Sequence, residues 1–481
     1  MLCRICIIFL TVLMILVPKS AAATEVPDGI QRADLLGVYQ AALLSDPQLS
    51  ASRHAFKGQV EAVPQAMAGL LPTVNAGTKT EVTHLDRNRP SLDRSRSGNT
   101  FQANLNQPLF HADRWYQLKA AQSSVDQAEL ELTAKEQTLI LTSAQAYFET
   151  LRMLDSLAAA RAEEAALSRQ RDQAQGRLDD GASSITDVYD AQAAYDNARA
   201  NRQLAQRKVD DAFEALSRLT NSNYTSIVGM GHQLPTGPPV PTNPNVWVEK
   251  AVQQNIELLA AAKAVNAAQQ TISQRKAGYA PTVDVVASYR KGDNDSFGYS
   301  NPTDFGTNGY GGNISQSTIS IELNVPLYSG GMTRSQVRES TERLYQRQDE
   351  QEDKRREVVL TTRNAFRGIS ASVEQIFARR QSIFSGMKSV EANQVGIDVG
   401  SRNISDLLNA QRQLYAAVRD YNDARYDYIV DTLKLKQATG SLAPSDLQAL
   451  AVYMKPDYDP DRDFLPPGSL HLSDNTANTP R

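Results

Sequence analysis

The 481-residue chain carries 50 Lys+Arg against 54 Asp+Glu, and its formal charge of −4 is too mild and too mixed to suggest nucleic acid as a partner. Its two cysteines, Cys3 and Cys6, both fall in the first ten residues, so the rest of the chain offers no thiol, disulfide or lipid-attachment cysteine. Beyond the N-terminal segment no 18 consecutive residues are apolar, which excludes a helical membrane span but not a β-barrel, whose strands of about ten residues are only half apolar.

Residues 1–23 read as a cleaved export signal. Arg4 supplies the positive start, Ile5 to Val17 the apolar stretch, and Ser20 to Ala23 the small residues before the cut. A first copy of a repeated unit follows over 31–221. It opens with an Ala-rich helical stretch, Ala33 to Leu70, broken at Asp46-Pro47. Two strands are expected at 73–83 and 99–109, around a polar loop from His84 to Gly98. A helix with almost no breakers is expected over 112–178, and such a helix reaches roughly 100 Å at ~1.5 Å per residue. A short turn at Asp179 to Ser183 precedes a returning helix, 184–219.

Residues 222–242 form a connector. Gly229 to Pro244 holds five prolines and three glycines and reads as irregular. The second copy, 243–440, has the same order: a helical stretch from Val246 to Tyr279, strands at 282–290 and 314–327, a long helix at 332–398, a turn at Gly400 to Arg402, and a returning helix at 403–438. The segment 441–481 closes the chain, and its Pro- and Asp-rich part from Lys455 is expected to be loosely held.

The duplication is explicit. Leu71-Pro72-Thr73-Val74 returns as Ala280-Pro281-Thr282-Val283, an offset of 209. Gln107-Pro108-Leu109-Phe110 returns as Val325-Pro326-Leu327-Tyr328, an offset of 218. Gly181, Ile185, Asp187, Ala191 and Gln192 return as Gly400, Ile404, Asp406, Ala410 and Gln411, an offset of 219. Length changes concentrate at the hairpin tip, where a repeated unit tolerates them.

The returning helices carry a 3,4-spaced seam. In the second copy it runs Leu407, Ala410, Leu414, Ala417, Tyr421, Ala424, Tyr428, Asp431, Leu435, Ala438. In the first it runs Val188, Ala191, Tyr195, Ala198, Arg202, Ala205, Val209, Ala212, Leu216, Leu219. That period is a coiled-coil seam, and alternating Ala lets backbones approach closely. An amphipathic hairpin in a compact bundle shows a similar pattern, but no compact core covers a helix this long.

The strands alternate with period two. Ile319, Ile321, Leu323, Val325 and Leu327 oppose Ser320, Glu322 and Asn324. Phe101, Ala103 and Leu105 oppose Gln102, Asn104 and Asn106, and Val283, Val285, Ala287 and Tyr289 oppose Asp284, Ser288 and Arg290. One apolar and one polar face suits a membrane barrel with a wet lumen as well as a sandwich edge. Four strands do not close such a barrel, and open edges are not tolerated in lipid. Several chains must therefore share one: three would give twelve strands, two would give eight.

Together these features resemble the TolC family of outer-membrane channel proteins over nearly the whole chain. The carriers are the duplication, the strand-closing Gln107 to Phe110 and Val325 to Tyr328, and the paired turns Gly181 to Asp187 and Val399 to Asp406. The resemblance implies a mainly α fold with a β membrane part. Long coiled-coil helices form a helical barrel across the periplasm, and each chain of a homotrimer contributes four strands to a shared twelve-strand barrel in outer-membrane lipid. The likeness is greatest to the type I protein-secretion branch, and within it to the outer-membrane component of an alkaline-protease exporter. It implies passive conduction of an unfolded secreted protein, with an inner-membrane ABC transporter and a periplasmic adaptor as partners. It also implies a closable inner end. Arg402 sits at the link-forming arginine, Thr186 and Asp187 at its facing partners, and Asp406 at a ring aspartate. Asn409 and Ile397 depart from the family pattern, so a single carboxylate ring and a thinner closing network are expected. The turns at Gly181, Ala182, Ser183, Gly400, Ser401 and Asn403 are the expected adaptor-docking surface.

Multidrug efflux is an alternative cargo class, and a periplasmic coiled-coil adaptor or scaffold an alternative role. No enzyme, cofactor or metal is expected. His54, His84, His111, His232 and His471 are scattered without ligand spacing, and no HExxH, GxSxG or Walker motif occurs.

Overall fold

The computed structural model describes residues 32–88, 91–293 and 313–466. The expected export signal, most of the second hairpin loop from Lys291 to Asn313, His471 and the end of the tail lie outside the described residues. Chain order is β1 (Arg32–Ala33), α1 (Leu35–Ser45), α2 (Pro47–Val60), α3 (Ala62–Ala68), β2 (Thr73–Asn88), β3 (Ser91–Phe110), α4 (Ala112–Asp179), α5 (Ile185–Thr220), β4 (Ser226–Ile227) and β5 (Gly229–Met230). Then come α6 (Pro244–Gln254), α7 (Ile256–Lys276), β6 (Thr282–Asp293), β7 (Asn313–Asn324), α8 (Met332–Asp398), α9 (Ile404–Ala438), α10 (Pro444–Ala451), β8 (Met454–Lys455) and α11 (Pro460–Asp463).

The kink at Asp46-Pro47 has a twin. Asp46 accepts from the Gln48 amide and starts α2, while Asn255 accepts from the Leu258 amide and starts α7. Asn255 breaks a stretch expected to be continuous, because its side chain competes with the preceding helix for that orphan N–H. A further break falls at Glu61, before α3.

One antiparallel sheet, ordered β2-β3-β6-β7, carries all four long strands. Its register stacks like on like. Val74, Leu105, Ala287 and Ile319 share one row, while Asn75, Asn104, Ser288 and Thr318 share a row on the opposite face. Gly77, Gln102, Arg290 and Gln316 make the next polar row. Phe101 meets Tyr289 edge-on at 6.5 Å on the apolar side. Ile319, Ile321 and Leu323 are exposed, as an apolar face turned outward requires.

Two expectations fail here. The loop from His84 to Gly98 is mostly strand: the ladder runs on to the pair Asn88–Ser91. The two strands, 16 and 20 residues long, exceed the about ten residues that a membrane-crossing strand needs. The last strand, expected to 327, stops at Asn324. Pro326 has no N–H to donate, and β7 is an edge with no second neighbour among the described residues.

The helices pair as antiparallel hairpins, α4 with α5 and α8 with α9, and α4 also packs on α9. The α9 seam from Leu407 through Ala424, with Leu435 and Ala438, is buried. Midway along the hairpins a third packing layer surrounds them. Tyr147, Phe148 and Leu151 of α4, Leu216 of α5, and Tyr426 and Ile429 of α9 are buried with Leu35, Ile227, Met230, Leu442 and Leu447. The connector is therefore not irregular throughout. β4 pairs with β1 and β5 with β8, giving its backbone partners beside this core.

The C-terminal segment is likewise firmly held as far as it is described. Phe464 and Leu465 join the core of α4, α8 and α9. Asp155 of α4, 1% exposed, accepts hydrogen bonds from the Tyr426 and Tyr458 hydroxyls. Arg425 donates to the Asn422 side chain at 3.0 Å and to the Met230 and Gly231 carbonyls at 3.2 and 2.9 Å. The His232 Nε2–H donates to the Asp463 carbonyl at 2.7 Å, and the imidazole stacks on Tyr421. Buried Tyr458, Phe464 and Leu465 together with these hydrogen bonds order this Pro- and Asp-rich stretch.

Burial pushes Asp155 up to about 6, against the hydrogen bonds from Tyr458 and Tyr426 and the charge of Arg425. Burial and then Arg425 push His232 down to about 3. The two act oppositely on stability. Folded Asp155 holds its proton more tightly than the unfolded chain, so its contribution grows as pH falls through about 6. Folded His232 refuses a proton that the unfolded chain accepts near 6.5, so its contribution is lost as pH falls through that value. Between pH 7 and 5, His232→Gln should gain about 2 kcal/mol relative to the parent, and Asp155→Asn should lose about 1 kcal/mol. Thermal or denaturant unfolding at both pH values checks each difference.

Candidate functional site

The two turns at the end of the long hairpins are built alike. α4 stops at Gly181 (φ 72°), where the Gly181 amide donates to the Leu178 carbonyl at 2.9 Å and the Ala182 amide to the Arg177 carbonyl at 2.7 Å. α8 stops at Gly400 (φ 72°), with Gly400 to Ile397 at 3.1 Å and Ser401 to Gly396 at 2.8 Å. Both are left-handed glycine caps, and a Cβ would strain either.

The helices that follow start differently. Ser184 caps α5, accepting from the Thr186 amide at 3.1 Å. Asp187 completes the box: its Oδ2 accepts from the Ser184 amide at 3.1 Å and the Ser183 hydroxyl at 2.8 Å. Asn403 caps α9, accepting from the Asp406 amide at 2.8 Å. The Asp187 carboxylate is thus spent inside its own turn. The Asp406 carboxylate is not, and it faces Arg402 Nη1 at 3.8 Å, with the two side chains 40% and 61% exposed. The Arg402 stem lies over Gly396, where a Cβ would come within 2.6 Å of Arg402 Cγ.

Arg402 and Asp406 are therefore brought together, while Thr186 and Asp187 begin the helix after the other turn. Within the chain no hydrogen bond or ion pair among the described residues joins Arg402 to Thr186 or Asp187. Of the docking residues, Gly181, Ala182, Gly400, Ser401 and Asn403 are exposed and Ser183 is half-buried.

What sequence reasoning missed is how the two hairpins are tied. Arg177 Nη2 meets Asp398 Oδ1 at 2.7 Å, and Gln394, held by Gln170 at 3.3 Å, also donates to Asp398. The Ser405 hydroxyl donates to Asp190 Oδ2 at 3.0 Å. Farther along, Arg419 Nη1 meets the buried Glu163 at 2.9 Å. The repeat offset aligns the hairpins but does not say which flank of one meets which flank of the other. Beneath these links Leu167, Ala174, Ala191, Ala194 and Ala198 of the first hairpin enclose Ile404 and Leu408 of the second.

The family described as "Outer membrane efflux protein" matches residues 38–222 and 247–441, one match in each copy of the repeat. The chain is 32% identical to the outer membrane protein TolC of Vibrio cholerae over 91% of this chain and 97% of that protein. It is 27% identical to the alkaline protease secretion protein AprF of Pseudomonas aeruginosa over 87% of this chain and 86% of that protein. In fold it is similar to the crystal structure of the outer membrane protein VceC from Vibrio cholerae, with TM-score 0.73 at 17% identity over 84% of this chain and 96% of that one.

Arg177→Ser should loosen the tip by removing the shorter of the two charged contacts there. Amide exchange across 396–406 should rise several-fold, and the swap Arg177→Asp with Asp398→Arg should return it toward the parent. Equal exchange in parent and single variant would show that the pair carries no load.

Proposed function

Since this chain belongs to the outer membrane efflux protein family, we propose that three copies form one duct and that it exports a secreted protein. The chain is an outer-membrane channel protein that extends into the periplasm. The observation that carries the trimeric reading is the sheet. It has one apolar and one polar face, and two edges, β2 and β7, open. Open edges are not tolerated in lipid, and three chains with four strands each close them.

The polar rows, with Asn75, Gln102, Asn104 and Arg290, then line a wet lumen. The paired hairpins continue that lumen toward the periplasmic end. No step in this reading needs catalysis: unfolded protein enters from an inner-membrane ABC transporter, through an adaptor docked on the exposed turns, and passes through. Likeness to a protease secretion protein supports the protein cargo. Drug efflux is the second reading, supported by the description of the family itself. Deleting the gene should abolish an extracellular protein, with only minor change in drug susceptibility. The reverse result favours efflux.

Three Asp406 carboxylates brought to one axis would add their potentials in a narrow space. An exposed Arg402 beside it offsets this only weakly, by about 0.2–1 kcal/mol per pair. Asp406→Asn should therefore lower cation selectivity and relieve block by multivalent cations in single-channel recordings. Arg402→Ser should raise both conductance and cation selectivity. Unchanged selectivity in Asp406→Asn would remove the ring from this position.

A further inference from the structure

The sheet sorts charge as well as polarity. On its polar face the row nearest the helices holds Asp284 and Glu322, opposite each other in the ladder. Toward the far end of the sheet the same face turns basic. Arg290 shares a row with Gly77, Gln102 and Gln316, and Lys79 opens the next. Glu81 follows two residues on, and beyond it the register places Thr83–Arg96, Leu85–Arg94 and Arg87–Leu92 in successive rows of that face. This half of the face therefore carries five cations against one carboxylate, and Glu81 is paired with Lys79. The opposite face of the same strands takes Asp86, Asp93 and Asp293, with Lys291 as its cation.

A hairpin end that only had to be soluble needs charge on both faces without regard to sign. Here sign follows face. Arg94 and Arg96 stand two residues apart in β3, about 7 Å along the strand. Arg87 is the diagonal neighbour of Arg94 across the ladder, at about 7–8 Å. These spacings fall within one Debye length, about 10 Å at 0.1 M salt, so like charges repel and their potentials add. A bound anion turns that cost into attraction. Guanidinium groups suit oxyanions of the phosphate kind, which they meet with paired N–H donors.

We propose that the polar face at the far end of the first strand hairpin, centred on Arg87, Arg94 and Arg96, binds multivalent oxyanions of the phosphate-bearing class. The site rests on the duct reading above, in which this face lines the lumen at the outer mouth. A lumenal face receives its ligand from solution, not from a lipid leaflet. Three copies bring three such clusters to one opening. The duct then has ends of opposite preference, with the Asp406 carboxylates at the turns and the arginines at the mouth.

Single-channel recording in bilayers of zwitterionic lipid, free of lipopolysaccharide, tests this with inorganic tripolyphosphate as the probe. Added to each side in turn, it should block the parent from one side at far lower concentration than from the other. Arg94→Gln with Arg96→Gln should raise the blocking concentration from that side about tenfold or more, and Arg87→Gln alone about threefold. Raising the salt from about 0.1 M to about 1 M should weaken block of the parent. Asp86→Asn, on the other face of the same hairpin, should leave block unchanged. Conducting parent channels with no tripolyphosphate block overturn the site and leave the duct standing. So does block that survives both arginine variants, or that Asp86→Asn moves as much. A parent that forms no conducting channel overturns the duct and the site with it.

Discussion

Unpaired backbone groups are the constraint from which the rest follows. In hydrocarbon each unsatisfied N–H or C=O costs several kcal/mol, and β2 and β7 each present a free edge. Among the described residues the ladder is regular apart from a shift between Pro108 and Phe110, and its rows are well sorted, so the sheet gains nothing at its edges by rearranging. It can do so only by meeting another sheet of the same kind. That demand sets the symmetry of everything attached below. Each strand pair leads into a long hairpin, so a closed ring of sheets imposes a closed ring of hairpins.

A ring of long hairpins needs something to hold its diameter. Coiled-coil seams fix neighbours but not curvature over roughly 100 Å. The mid-height core does this differently, by tying segments distant in sequence. α1 and β1 from the start of the described chain, the connector strands, and α10, β8 and α11 from its end all meet α4 and α9 there. Its polar members are satisfied through Asp155, Tyr426, Tyr458, Arg425 and His232, whose hydrogen bonds span three of these segments. A network with every member paired specifies one arrangement and penalises alternatives.

Periodicity and punctuation were legible because they are local. Gly181 and Gly400 mark helix ends through a backbone conformation that other residues resist, and the alternation in β6 and β7 follows from the pleat alone. What was not legible depended on partners. The residues from Lys455 to Phe464 look like a disordered tail until Asp155 and His232 are placed opposite them. Likewise Asp187 and Asp406 occupy equivalent positions in the repeat. Only Asp187 follows a serine cap with a second serine within reach, so only its carboxylate is drawn into a capping box. Asn403 caps α9 alone, which leaves Asp406 free to face Arg402.

The two ends of the hairpins differ in what it costs to disturb them. At mid-height, large side chains such as Tyr147, Phe148 and Tyr426 are fully buried, and removing one costs about 3–5 kcal/mol. At the tip the contacts are exposed ion pairs and single hydrogen bonds, each contributing about 0.2–1 kcal/mol. Alanines with Leu167, Ile404 and Leu408 lie beneath them. Local opening therefore concentrates at the turns, while the mid-height core stays closed. The strongly packed layer therefore lies at mid-height, and the weakly held contacts lie at the exposed turns.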